Sequence, residues 1–161
     1  MISLGGRTLD LAAFEQIVLQ QKNVEINEAT LADVTDCFDF LNKFSDDKLI
    51  YGINTGFGPM AQYRINDEDR IALQYNLIRS HSSGMGALLT EHQCRGTLLA
   101  RLNTMLLGFS GVHSNLVGLM TGLLNAGAYP AIYAHGGVGA SGDLVQLAHL
   151  ALGLIGEGQF W

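Results

Sequence analysis

Charged side chains are scarce in this chain. Asp, Glu, Lys and Arg make up 15% of it, against roughly a quarter in ordinary globular proteins, while apolar residues reach 48%. A free-standing domain carries more polar surface than this. The deficit predicts that part of the exterior is covered, by a partner subunit or by further polypeptide. Positive charge is the scarcest kind: nine Lys and Arg stand against fifteen Asp and Glu, for a formal net charge of −6. The basic residues form no cluster, which leaves no electrostatic footprint for nucleic acid.

Paired cysteines, metal-ligand spacing and long apolar runs are missing as well. Cys37 and Cys94 lie far apart and outside any CxxC, and read as free thiols. None of the five histidines is spaced with Cys, Asp or Glu as metal ligands are, so no metal site is expected. Arg7, Asp10 and Glu15 interrupt the start before an export-type apolar segment forms. The longest apolar stretch, Leu144 to Ile155, contains Gln146 and His149 and is too short to span a bilayer. Free thiols without an export signal predict a cytoplasmic protein.

What remains is a mainly α pattern with a few short strands and loops, read as a single domain over residues 1–161. Asp10 caps a first helix, Leu11 to Gln20, with Phe14, Ile17 and Val18 on one face. Val24 to Ile26 reads as a short strand, and Ala29 to Phe44 as a helix burying Leu31, Val34, Phe38 and Leu41. Leu49 to Tyr51 reads as another strand, broken at Gly52 ahead of a turn-rich segment. Asn66 caps a helix to about Ser80, with Ile71, Tyr75 and Ile78 aligned. Thr90 and Gln93 make a capping-box pair before a helix striped with Leu98, Leu99, Leu102, Met105 and Leu106. A further helix, Ser114 to Asn125, ends at Gly127, a residue suited to a left-handed C′ position. His113 reads as a capping or packing residue and His149 as a core histidine, while His92 sits in an exposed first turn.

The most informative stretch is Gly136-Gly137-Val138-Gly139-Ala140-Ser141-Gly142-Asp143-Leu144. Gly142 has no side chain to keep its nitrogen from the Ala140 carbonyl. Gly136, Gly137 and Gly139 can supply backbone angles closed to other residues. The Ser141 hydroxyl can leave as water, so the tripeptide can condense to a five-membered ring bearing a methylidene group. Alone, the same residues also describe a flexible loop before a helix capped by Asp143. Flanking sequence and two upstream motifs favour the ring.

With LVQLAHLALGLIGEG behind it, GVGASGDL resembles the aromatic amino acid lyases. These are the histidine, phenylalanine and tyrosine ammonia-lyases and the related aminomutases. The resemblance implies a prosthetic group, 4-methylidene-imidazole-5-one (MIO), formed autocatalytically from Ala140, Ser141 and Gly142. It implies support for ring formation from Asp143, substrate contact at Leu144, and no external cofactor. Tyr51-Gly52-Ile53-Asn54-Thr55-Gly56-Phe57-Gly58 matches the family's YG(V/I)NTGFG signature at every position. By that match Tyr51 is the base for the substrate β-proton, and Gly58 belongs to the substrate site. An ordinary phenol ionises near pH 10, so the role requires neighbours that stabilise phenolate.

Asn76 to Gly84, NLIRSHSSG, resembles a third block that lines the substrate pocket, where the pair Ser80-His81 follows the identity of the substrate ring. Ser-His is usual in histidine lyases. A bacterial subgroup of tyrosine lyases shares it, together with NTGFGPMAQYRI and HGGVGASGDLVQLAHLAL. The chain also departs from the commoner histidine-lyase pattern: Tyr133 replaces Pro, Gly137 replaces Ser, and Val145-Gln146 replaces Ala-Pro. Histidine and tyrosine both stay open.

The implied fold is the N-terminal, MIO-bearing part of an L-aspartase-like, histidine ammonia-lyase type fold, with its central helical bundle in later sequence. The chain is accordingly expected to be the N-terminal part of a longer enzyme. The implied assembly is a homotetramer with sites shared between subunits, acting on a small amino acid without nucleic acid or membrane. Carboxylate-clamping residues come from later sequence, so residues 1–161 alone are expected to be inactive. The implied reaction is non-oxidative loss of ammonia from L-histidine to give urocanate. A tyrosine lyase making p-coumarate, a 2,3-aminomutase, and a non-catalytic assembly module are the alternatives.

Overall fold

Side-chain caps start most of the helices at the positions the sequence predicts. A computed structural model describes residues 1–6 and 9–161; Arg7 lies outside the described residues. Asp10 accepts the Ala13 amide at 2.7 Å and opens α1, Leu11–Val18. Asn27, overlooked in the sequence, accepts from Ala29 and Thr30 to open α2, Glu28–Ser45. Asn66 opens α3, Asp67–His81, and the Thr90–Gln93 capping box opens α4, Glu91–Met105. His113 Nδ1 accepts the Asn115 amide at 3.1 Å before α5, Ser114–Ala126, which stops at Gly127 with φ +71°. Each cap satisfies amides that a helix's first turn leaves without partners. The last helix, α6, is Val145–Leu154.

The core is built around α4. Its Cys94, Leu98, Leu99 and Leu102 are fully buried among Ile17 and Val18 of α1 and Val117, Met120 and Leu124 of α5. Burying one such aliphatic side chain stabilises by roughly 1.5–3 kcal/mol, so the stripe predicted on α4 is the fold's main apolar anchor.

Arg95 sits inside this core, and nothing in the sequence pattern marked it. It is 2% exposed. Nε donates to the Ile17 carbonyl at 2.6 Å and Nη1 to the Leu124 carbonyl at 3.1 Å and to the Tyr129 hydroxyl. Nη2 reaches the Lys22 carbonyl at 3.4 Å. The three carbonyls lie at or just past the ends of α1 and α5, so one cation ties both helix ends to α4. Burial pulls its pKa below the usual guanidinium value, with Glu91 opposing. Arg95→Met keeps the stem but strands those carbonyls; we expect a loss of about 3 kcal/mol, read as a lower urea midpoint of unfolding.

Among the described residues, three two-stranded sheets complete the architecture. β1, Ile2–Leu4, runs parallel to β2, Val24–Ile26, with Ile2 opposite Val24. On the edge of β2 away from β1, the Asn125 carboxamide accepts the Val24 N–H and donates to the Val24 carbonyl, both at 2.8 Å. β3, Met85–Leu88, pairs antiparallel with β4, Tyr133–His135, so that Met85 lies opposite His135. β5, Val138–Gly139, and β6, Gly142–Asp143, form a minimal hairpin. Helix α6 packs along α3 and touches β4.

Two expectations fail. Leu49 to Tyr51 is not a strand: the Ile50 carbonyl accepts from Ile53 and Asn54 at 3.1 and 3.2 Å, which turns the chain. Helix α2 buries Val34 but leaves Leu31 exposed and Phe38 and Leu41 only half-buried. No described side chain of α3 is buried, and its aligned Ile71 is 66% exposed. The apolar periodicity there is real, but among the described residues it is covered only in part, with Ile78 half-buried and Ile71 and Tyr75 exposed.

Candidate active site

Ala140 and Ser141 form the tip of the β5–β6 hairpin, where Gly139 pairs with Gly142 and Val138 with Asp143. The whole stretch from His135 to Leu144 is exposed. Gly142 takes φ +80°, a left-handed angle that a side chain would strain. Gly136, Gly137 and Gly139, which could supply such angles, take no left-handed φ. Gly136 is needed for space instead: a Cβ there would overlap the Asp143 carboxylate. Around Gly142 nothing lies within 4 Å of where a Cβ would stand. A five-membered ring closed from the Gly142 nitrogen onto the Ala140 carbonyl therefore fits this tip, with a left-handed glycine at the closing position and open space around it.

Asp143 Oδ1 accepts the Val145 amide at 3.1 Å. Helix α6 begins one residue later than expected, so the cap position itself belongs to Leu144, whose side chain makes no capping bond. Asp143 does the capping from the preceding position. This also puts the amide end of α6, which favours negative charge, directly after the tripeptide.

The Tyr51 segment is held by a buried asparagine. Asn54 is 3% exposed. It accepts the Ile50 amide at 2.8 Å and donates to the Ser45 and Lys48 carbonyls at 2.9 and 2.7 Å. Thr55 accepts the Gly52 amide at 3.3 Å. Tyr51 itself is 62% exposed. Its ring stands edge-on to Phe57, with centroids 5.9 Å apart, and its hydroxyl accepts a long bond from the Gly58 amide at 3.4 Å. Among the described residues no hydrogen bond or ring contact joins Tyr51 to 140–142.

Ser80 and His81 end α3. His81 Nδ1 lies 2.9 Å from the Leu77 carbonyl and 3.1 Å from Ser80 Oγ, which donates to that same carbonyl at 3.1 Å. A carbonyl accepts only, so in the neutral ring Nδ1 carries the proton and Nε2 is left as an acceptor. His81 thus serves the helix end through Nδ1 and keeps Nε2 as an acceptor.

The third block meets α6 and the turn after it through two side-chain contacts. Arg79 makes a two-pronged ion pair with Glu157, at 2.8 and 2.5 Å, and each partner holds the other's charged form. His149 Nε2 accepts the Gly84 amide at 3.0 Å, with the Tyr133 ring 5.2 Å away. His149 is therefore a satisfied core histidine, as expected. Burial lowers its pKa below the ordinary 6.5. The ionisable groups around it are Tyr133 and Glu157, which share its small cavity, and Arg79, which is spent on Glu157. The unfolded chain binds this proton at higher pH than the folded one. Its contribution to stability is thus intact above about pH 6.5 and is lost as pH falls through the lower folded value. We expect the thermal midpoint to drop over that window and His149→Gln to flatten the slope.

Among the described residues no group of His, Cys, Asp or Glu is placed to hold a metal, and no helix is long and apolar enough to cross a membrane. Both cysteines are free thiols, Cys94 in the core and Cys37 half-buried.

Comparison with known proteins agrees with the three motifs. The family model for aromatic amino acid lyases matches residues 9–161. A histidine ammonia-lyase of Bacillus cereus is 40% identical over 160 residues, covering 99% of this chain and 32% of its own length. The chain thus spans about a third of the length of the curated relatives it matches. Among solved structures, a tyrosine aminomutase from Streptomyces globisporus superposes with a TM-score of 0.91 at 33% identity, covering 99% of this chain and 30% of that one. A histidine ammonia-lyase from Trypanosoma cruzi superposes with a TM-score of 0.86 at 35% identity, with the same coverage. The helices, the exposed glycine hairpin and the match along nearly the whole chain lead to one assignment: the chain belongs to the aromatic amino acid lyase family.

Proposed function

We propose that residues 1–161 are the N-terminal, ring-forming domain of an ammonia-lyase that converts L-histidine to urocanate and ammonia. The observation that carries this reading is the exposed Ala140-Ser141-Gly142 tip with Gly142 in a left-handed conformation at the start of α6. Condensation of the tripeptide to MIO forms the bond from the Gly142 nitrogen to the Ala140 carbonyl carbon and expels two waters, one of them from Ser141. The finished group supplies an electrophile for the substrate's amine or ring. Asp143 assists the closure by holding the hairpin against α6.

The chain's own side chains do the rest of the first half-reaction. Tyr51 takes the β-proton, with the Gly58 amide directed at its oxygen. The Cα–N bond breaks, a Cα–Cβ double bond forms, and ammonia leaves. Ser80 and His81 read the ring of the substrate, His81 through its free Nε2, a partner for the N–H of an imidazole or the O–H of a phenol. Leu144 and Gly58 contact the substrate. No external cofactor is needed. The carboxylate clamp belongs to later sequence, so residues 1–161 alone are inactive. The working enzyme is a cytoplasmic homotetramer with shared sites.

Tyrosine is the second reading, as substrate of a lyase or of a 2,3-aminomutase. Tyr133, Gly137 and Val145-Gln146 favour it, as does the likeness to a tyrosine aminomutase. Incubating the whole enzyme with histidine and tyrosine in parallel separates the readings, since urocanate, p-coumarate and β-tyrosine are distinct products. Release of urocanate alone supports the first, and turnover of tyrosine alone overturns it.

A further inference from the structure

Two segments assigned to the site above leave the β3–β4 sheet at the same end. Met85, the first residue of β3, pairs with His135, the last of β4. The chain before Met85 is Ser80 to Gly84, the segment that reads the substrate ring. The chain after His135 is the ring-forming hairpin. Strand pairing brings the two roots together but leaves the hairpin exposed and Ser80 to Gly84 no more than half-buried beyond it.

One part-buried contact closes the gap. His149, one turn into α6, accepts the Gly84 amide at 3.0 Å. It is 8% exposed, and its ring is backed by Tyr133 of β4. A Cβ at Gly84 would come within 2.8 Å of both His149 Nε2 and the Tyr133 side chain, so the approach requires glycine at 84. Gly84, β3, β4, the hairpin, the first turn of α6 and His149 then form a closed circuit. The Arg79–Glu157 pair links α3 to the same region, but it is exposed and open to screening by salt. The histidine contact is no ion pair, and its acceptor ring is buried.

We propose that His149 is a positioning residue of the lyase: by holding the Gly84 amide it fixes the separation between the Ser80–His81 turn and the Ala140–Gly142 tip, and so sets substrate preference. The inference rests on the lyase reading. Misplacing a bound substrate by about 1 Å costs on the order of a hundredfold in rate, so a lost anchor here is read in kinetics before it is read in folding. A neutral acceptor at this position is the whole requirement, which separates the role from a proton-transfer role.

The test uses the whole enzyme in three variants. His149→Leu removes the acceptor, His149→Gln offers an amide oxygen in its place, and Gly84→Ala pushes the two partners apart with His149 intact. In His149→Leu and Gly84→Ala we expect the ring chromophore to remain. The ratio of kcat/KM for histidine to that for tyrosine should move about tenfold or more towards unity. Amide exchange at Gly84 should quicken. His149→Gln should recover most of both. A preference unchanged in an active His149→Leu or Gly84→Ala enzyme overturns the proposal alone, as does a His149→Gln enzyme no better than His149→Leu. A wild-type enzyme that turns over no aromatic amino acid overturns the lyase reading and this proposal with it.

Discussion

Replacing Ser141 with Ala in the whole enzyme removes ammonia release and the ultraviolet chromophore together. The hairpin should survive, because Ala140 and Ser141 form its tip and the pairing on either side comes from Gly139 and Gly142. What disappears is the hydroxyl whose loss completes the methylidene. Intact mass should rise by a water relative to the mature protein, less the serine oxygen, if cyclisation still occurs, or return to the open-chain value if it does not. Either way turnover should fall by at least about a thousandfold, the scale of losing the group on which covalent catalysis depends. Unchanged activity in this variant contradicts the proposed chemistry at its root.

Tyr51→Phe should give the opposite pairing of results. The electrophile forms, because Tyr51 has no contact with 140–142 among the described residues. Turnover should nevertheless fall by about 10²–10⁴, the usual contribution of a positioned general base. The phenylalanine keeps the edge-on packing with Phe57 and loses only the oxygen that the Gly58 amide addresses. The loss should therefore appear in kcat with the melting temperature unchanged. Chromophore content and kcat measured on one preparation separate the two variants.

Much of this was legible in the sequence because it depends on local chemistry. Capping residues act within one turn, so Asp10, Asn66, Thr90 and Gln93 marked the starts of their helices. The α4 stripe was legible because that helix is covered on the face that carries it. Helices α2 and α3 carry similar periodicity, yet Leu31 and Ile71 remain exposed. Periodicity says that a face seeks cover and not where the cover comes from. Arg95 and Asn54 were illegible for a different reason. Their partners are backbone carbonyls and amides, which every residue has, so no spacing of side chains could announce them. Leu49 to Tyr51 failed through that blindness, since the asparagine that bends it lies beyond the apolar triplet.

The candidate site was proposed from residue type and not from distance. The three motifs named the tripeptide, the tyrosine and the Ser-His pair. Only the structure revealed that Gly84 and His149, 65 residues apart in the chain, share a hydrogen bond. A histidine on an apolar helix face gives no hint of which amide it serves.

The carboxamide of Asn125 has a consequence for solubility. By occupying the outward N–H and carbonyl of Val24, it stands where an intruding chain would begin to add itself to the sheet. Exposed strand margins are templates for aggregation, and this one is blocked at its first rung by a side chain from another element. Asn125→Leu would remove that guard and invite association through β2, even where the monomer's fold is otherwise untouched.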